Sequence, residues 1–179
     1  MNYENRVALF IDILGFREIV KSTLDNVGND DKNRIEKVYE IFKAIRYFLK
    51  SENGSSTETR RFTQFSDSIA ISFLATERSE VFHTLFHVQL LLTELIQMKV
   101  LCRGGVSYGK LVHDDKVIFG PALNTAYDAE SKAALYPRVI LDESIINLGG
   151  KYHARHHFQE HEIDSIKNIV KGDVGSKTT

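Results

Sequence analysis

Residues 7–20, "VALFIDILGFREIV", carry an aliphatic run into a single acid, Asp12, and then turn on "LGF" into a helical pattern. The apolar run over 6–12 predicts a buried strand, and "GFREIVKSTL" predicts a helix from about Phe16. Asp12 breaks the pattern. A buried polar group without partners costs roughly 2–7 kcal/mol and a charge more, so an acid ending a core strand asks for a cation or for hydrogen-bond donors. Two readings are open at this point: an Asp that caps the following helix, since Asp is a favoured N-cap residue, or an acid that binds a cation.

Working outward, the first helix fades in the polar loop "DNVGNDD" (25–31). A second helix over about 32–50 has Ile35, Val38, Tyr39, Phe42, Ile45 and Leu49 at helical intervals, and "SENGSS" closes it. "TETRRFTQFSDSIAISFLA" (57–75) reads as two strands joined by a tight turn at Ser66-Asp67. A long helix over about 76–98 leads into "VLCRGGVSYGKLVHDDKVIFG" (100–120), a strand, a hairpin at "HDDK" and a return strand. "PALNTAYDAESKAAL" (121–135) is a helix opening on Pro121, where a missing N–H is harmless, and "PRVILD" is one more strand. The order β-α-α-β-β-α-β, then hairpin, helix and strand, predicts a ferredoxin-like α+β fold: an antiparallel sheet with helices packed on one face. It reads as one domain over 1–179 with a frayed polar tail from about 172.

The chain of 179 residues is long enough to bury a core, and 42% hydrophobic with 26% charged residues is the profile of a globular protein. A net charge of −1 gives no global pull towards nucleic acid or membrane, so an anionic ligand has to be held locally. The lone Cys102 excludes an intrachain disulfide and, with no leader-like N-terminus, predicts a reducing, cytoplasmic setting. "HTLFHVQLLLTELIQM" (83–98) is interrupted by polar residues at helical spacing and reads as amphipathic rather than membrane-spanning.

In a ferredoxin-like layout the first strand lies beside the hairpin of the second and third, so Asp12 and Asp67 converge. Two carboxylates brought together repel unless something cationic lies between them. Mg²⁺ or Mn²⁺ resolves the conflict, because these hard ions take a few carboxylates and complete their shells with water and phosphate oxygens. Asp67 taken alone is a plain turn residue. "ILGF" (13–16) sits between strand and helix, where outward-pointing N–H groups at a positive helix end make a cradle for phosphate and Gly15 permits close approach.

With "FIDILGF", "FSDSIAIS", "CRGGVSYG" and "FGPALNTA" in that order over residues 6–142, the sequence resembles the class III nucleotidyl cyclases, and within them the bacterial pyrimidine cyclases of antiphage Pycsar systems. The resemblance implies a two-metal cyclisation of UTP or CTP to the 3′,5′-cyclic monophosphate, with two Mn²⁺ or Mg²⁺ ions per site and release of pyrophosphate. It places Asp12, the Ile13 carbonyl and Asp67 on the metals, and Ile13, Leu14, Gly15 and Phe16 on the phosphates. Asn124 would orient the ribose. It also implies a homodimer whose sites combine the two Asp of one subunit with the Asn of the other, and a downstream effector that senses the cyclic nucleotide.

Two departures from the purine cyclases stand out. The positions that carry charged or polar base readers there hold Thr63 and Val117 here, which implies a changed base and favours a smaller pyrimidine. The Arg expected four residues after the Asn is Asp128, an acid that cannot stabilise transition-state charge. Arg103 in "CRGGV" is the first replacement, with Lys132 and Arg138 behind it. A cyclase-like domain without catalysis, binding nucleotide or only dimerising, is the alternative. His153, His157 and His161 have i, i+4 spacing that suits a transition metal if helical, against a plain solvated face.

Overall fold

The computed structural model describes residues 2–50, 58–134 and 136–172. "SENGSS" and the tail beyond residue 172 lie outside them. The central strand β1 (Glu4–Ile13) is antiparallel to β3 (Ser68–Leu74) on one side and to β4 (Cys102–His113) on the other. β2 (Arg61–Phe65) borders β3, and β5 (Ile118–Phe119) turns back along the end of β4 through the 114–117 loop. β6 (Val139–Leu141) pairs with β4 in parallel, so the sheet is mixed and not wholly antiparallel. The helical connection before β6 makes that direction possible, because parallel neighbours need a long crossover.

Period two explains both faces of β1. Val7, Leu9, Ile11 and Ile13 point to a core they share with Ile69, Ile71 and Phe73 of β3. Helices α2 (Lys32–Leu49) and α3 (Glu80–Gln97) cover that face, through Ile41, Ile45 and Leu49 of one and Val81, Leu85, Val88, Leu91 and Leu95 of the other. Arg6, Ala8, Phe10 and Asp12 point to the opposite, more open face. The reading of residues 6–12 as core throughout is therefore half right: Asp12 is half-buried, at the end of a row that leaves the core.

The open face carries a helix of its own. α4 (Pro121–Asp128) lies along β4 and β1, with Ala122 packed on Ala8 and Leu111 and with Ala126 seated over Gly105. Helices thus flank both faces, where the sequence suggested one. After Asp128 the helix widens into a single π-type turn, Ala129–Ala133. α5 (Glu143–Lys151) and α6 (Gln159–Gly172) pack back against α3, and Gly149 lies directly under Ile166.

Two expected helices are shorter than predicted. α1 spans only Phe16–Lys21, because the Ser22 and Thr23 hydroxyls bond back to the Ile19 and Val20 carbonyls as the chain leaves the helix. α3 starts at Glu80, after Ser79 in the left-handed region at φ 60°. A buried pair ties α3 to the sheet: Arg60 bonds Glu80, Thr84 and the Leu49 carbonyl at the end of α2.

Candidate functional site

One row of side chains crosses the open face at the end of β1. Phe65, Ser68, Asp12 and Arg103 are consecutive cross-strand partners on β2, β3, β1 and β4. Asp12 does not cap α1; the N-cap is Gly15, at φ 70°, with no side-chain cap bond. Its carboxylate instead accepts from Ser68 Oγ at 3.2 Å. Asp67 reaches the same place because β2 and β3 meet in a two-residue turn with Ser66 at φ 54°. The Ile13 N–H donates to the Asp67 carbonyl at 3.3 Å, pinning that turn on the end of β1.

The two carboxylates feel each other. Burial raises the Asp12 pKa and the charge of Asp67 raises it further, against the pull of the Ser68 hydroxyl and of Arg103. Two carboxylates that meet at the end of β1 are hard-oxygen donors of the kind that suit Mg²⁺ or Mn²⁺. Among the described residues no group of three or more His, Cys, Asp and Glu gathers, so the rest of a coordination shell would fall to water and ligand oxygens.

Arg103 faces Asp12 in register, and its guanidinium pairs with Glu130 at 2.7 Å, close enough to Asp12 for that carboxylate to act on Glu130 as well. Glu130 is buried; burial raises its pKa and Arg103 lowers it. Sequence reading missed this residue, although it follows Ala122 and Ala126 at helical spacing and so sits on the sheet-facing side of the helix. Lys132 is turned to solvent and paired with Asp128 at 2.8 Å, and Arg138 bonds the Ala133 carbonyl.

The 13–16 loop splits into parts that can and cannot bind. Ile13 and Phe16 bury their side chains, the latter edge-on to Phe42, so only their backbones are available. The Leu14 N–H is committed to the Leu101 carbonyl at 2.8 Å. Among the described residues no backbone partner holds the N–H groups of Gly15, Phe16 and Arg17.

Thr63 shares the open face, two strands and roughly 10 Å across the sheet from Asp12. It does not stand alone. The end of β4 bends over the face, and His113 Nε2 lies 2.9 Å from Thr63 Oγ1 while its Nδ1 lies 2.8 Å from Ser72 Oγ. Ser72 in turn accepts from Arg6 Nε at 2.9 Å, and Arg6 also pairs with Glu4 at 2.6 Å. None of Arg6, Ser72 and His113 carried a signal in the sequence, since the contacts join residues 41–66 positions apart.

Two expected site residues lie on other surfaces. Asn124 is exposed on the side of α4 opposite the sheet-facing Ala122 and Ala126, and Val117 ends the loop at the tip of the β4–β5 hairpin. The His-rich segment does not form a helical array. His153 lies between α5 and α6, His157 lies in a turn beside Glu162, and only His161 falls in α6.

No protein-family sequence model matches the chain, and no curated protein sequence does. Solved structures do. A class III adenylyl cyclase-like ATP-binding protein from Pseudomonas aeruginosa superposes with a TM-score of 0.59 at 14% identity, covering 94% of this chain and 40% of its own. An adenylate/guanylate cyclase/hydrolase from Silicibacter pomeroyi superposes with a TM-score of 0.53 at 17% identity, covering 84% of this chain and 82% of its own. The chain spans about two fifths of the Pseudomonas protein. Its α+β architecture of a mixed sheet with packed helices is the fold of the class III cyclase-like domains.

Proposed function

We propose that this chain is a nucleotidyl cyclase that converts a pyrimidine triphosphate, UTP or CTP, to its 3′,5′-cyclic monophosphate and pyrophosphate. The observation that carries the reading is the meeting of Asp12 and Asp67 on the open face of a cyclase-like fold, on the same face as the uncharged Thr63. In the reaction O3′ of the ribose bonds to the α-phosphorus, the bond from that phosphorus to the oxygen bridging to the β-phosphate breaks, and pyrophosphate departs.

Bound Mg²⁺ or Mn²⁺ would neutralise phosphate charge and lower the cost of deprotonating the 3′-hydroxyl. Asp12, Asp67 and the Ile13 carbonyl are the residues to hold the ions. The N–H groups of Gly15, Phe16 and Arg17, which have no backbone partner among the described residues, would donate to phosphate oxygens. Arg103, positioned by Glu130, supplies the fixed positive charge that Asp128 cannot. Asn124 faces away from this row in its own chain, which supports a site completed by the Asn124 of a second copy. A signalling role in antiphage defence, through an effector that binds the cyclic product, rests on the sequence resemblance.

Incubating the protein with Mn²⁺ and all four ribonucleoside triphosphates tests the reading directly. Cyclic UMP or cyclic CMP by mass, with pyrophosphate in equal amount, is the expected result. A dominant cyclic purine product overturns the base assignment. Nucleotide binding without any cyclic product selects the non-catalytic alternative, which the pairing of Asp128 with Lys132 favours, since it ties up one of the candidate replacements for the expected Arg.

A further inference from the structure

Helix α3 covers the core face of the sheet, and its outer surface lacks the charges that a solvated helix face carries. None of its exposed residues is Asp, Glu, Lys or Arg. The two acids of the helix are turned elsewhere: Glu80 is buried against Arg60, and Glu94 lines the groove shared with α2. Helix α2 has the same length and exposes Arg34, Glu36, Lys37, Glu40, Lys43 and Arg46. Every other α-helix of the described residues also exposes at least one charged side chain.

The outermost residues form a single ridge with the spacing of a helix-pairing seam. His83, Phe86, Leu90, Thr93 and Gln97 recur at alternating steps of three and four, which keeps one row facing a second helix. The two apolar members, Phe86 and Leu90, are neighbours in the row, with polar His83 and Thr93 on either side. Phe86 is stacked on Phe82, with ring centroids 6.1 Å apart and planes 7° from parallel. The largest side chain of the ridge is therefore ordered before anything docks, which lowers the entropy cost of binding.

A charged partner would be stripped of water against a ridge that offers no counter-charge, so the ridge selects an uncharged surface. Helix α3 is the one α-helix among the described residues that provides such a surface. We propose that α3 is a self-association surface: two copies pack their ridges antiparallel about a two-fold axis midway between Phe86 and Leu90. That axis sets Phe86 of each copy beside Leu90 of the other, and His83 beside Thr93. Each central layer then holds one ring and one leucine, where a parallel pairing would crowd ring on ring and leave leucine on leucine. The outer layers are polar, giving the apolar centre and polar rim of an isologous contact. Two apolar layers are few, so the contact is weak and forms at high micromolar protein. It lies across the sheet from α4 and Asn124, which makes it separate from the pairing that the cyclase reading requires.

Cross-linking reads this contact by itself and leaves its apolar centre intact. Full chains carrying His83→Cys and Thr93→Cys, mixed and treated with a short bismaleimide, should give a covalent dimer. Either variant alone should give none, because the antiparallel axis holds like positions about 15 Å apart along the helices. Cys102 is buried, and the wild type serves as the background. Sedimentation equilibrium of the wild type should show self-association whose dissociation constant rises at least about tenfold in Leu90→Glu, which sets an unpaired charge in the seam. Leu90→Met should keep it. Leu90 is exposed, so an unchanged melting temperature identifies the loss as one of contact. Cross-links in the single-variant samples and not in the mixture overturn the antiparallel pairing. No cross-link in any sample, or association unchanged by Leu90→Glu, overturns self-association through α3. None of these outcomes bears on the cyclase reading, whose product assay is separate.

Discussion

Asp12 is the residue where the chemistry of the site and the stability of the fold pull in opposite directions. Its carboxyl is half-buried beside a second carboxylate, an arrangement that costs free energy in the absence of a cation. Asp12→Asn and Asp67→Asn should each abolish turnover and, in metal-free buffer, melt no lower than the wild type, because each removes a repulsive charge. Thermal denaturation with EDTA beside a pyrophosphate-release assay checks both halves. Turnover that survives either change would remove the metal reading. His113 gives a second residue-level expectation. Its pKa falls from the ordinary 6.5 to about 4 in the folded chain. The unfolded chain therefore takes up a proton through that window that the native chain refuses, so the stabilisation is complete above about 6.5 and is lost as pH falls towards 4. Between pH 7.5 and 5 the melting temperature of the wild type should drop more than that of His113→Gln, whose side chain does not titrate.

At the scale of elements, the position of α4 sets the site's geometry. Gly105 on β4 lets the helix backbone lie directly on the sheet, since a Cβ there would meet the Ala126 carbonyl and come within 2.8 Å of the Ala129 Cβ. Both are backbone or short side chain, with no flexible end to move aside. Gly105→Ala should cost about 1–3 kcal/mol as α4 is pushed away, measured by urea unfolding. It should also reduce turnover, because the π-type turn that continues α4 carries Glu130 to Arg103. A stable Gly105→Ala protein with full activity would show that the helix position is not what holds Arg103. π-type turns are often found at functional sites, and here the turn carries both the buried Glu130 and the exposed Lys132 that pairs with Asp128.

For the whole molecule, the proposed cyclase site needs two copies, because Asn124 is turned away from the Asp12 row of its own chain. Specific activity should fall on dilution as dimers separate. Asp12→Asn and Asn124→Ala, each inactive alone, should recover activity when mixed, because a heterodimer assembles one site with Asp12 and Asn124 both intact. Linear dilution behaviour together with no recovery would place the whole site in one chain. Phe65, Phe119 and Tyr127 are exposed on the single chain, so tyrosine and phenylalanine burial on self-association can be followed at these positions.

The sequence by itself determined the elements and the acids. Helix α2 and strands β2 and β3 follow from hydrophobic periodicity, and Asp12 and Asp67 stand out because an acid ending an aliphatic run and an acid in a two-residue turn are both visible in one dimension. Three things were decided only in three dimensions. Which face of β1 is core depends on where α2 and α3 settle, and a short apolar run does not record that choice. Whether β6 runs with or against β4 depends on the path of a helical crossover. What surrounds Thr63 depends on a bend in β4 that brings His113 across two other strands to within 2.9 Å of its hydroxyl, a contact between residues 50 positions apart that no one-dimensional pattern records.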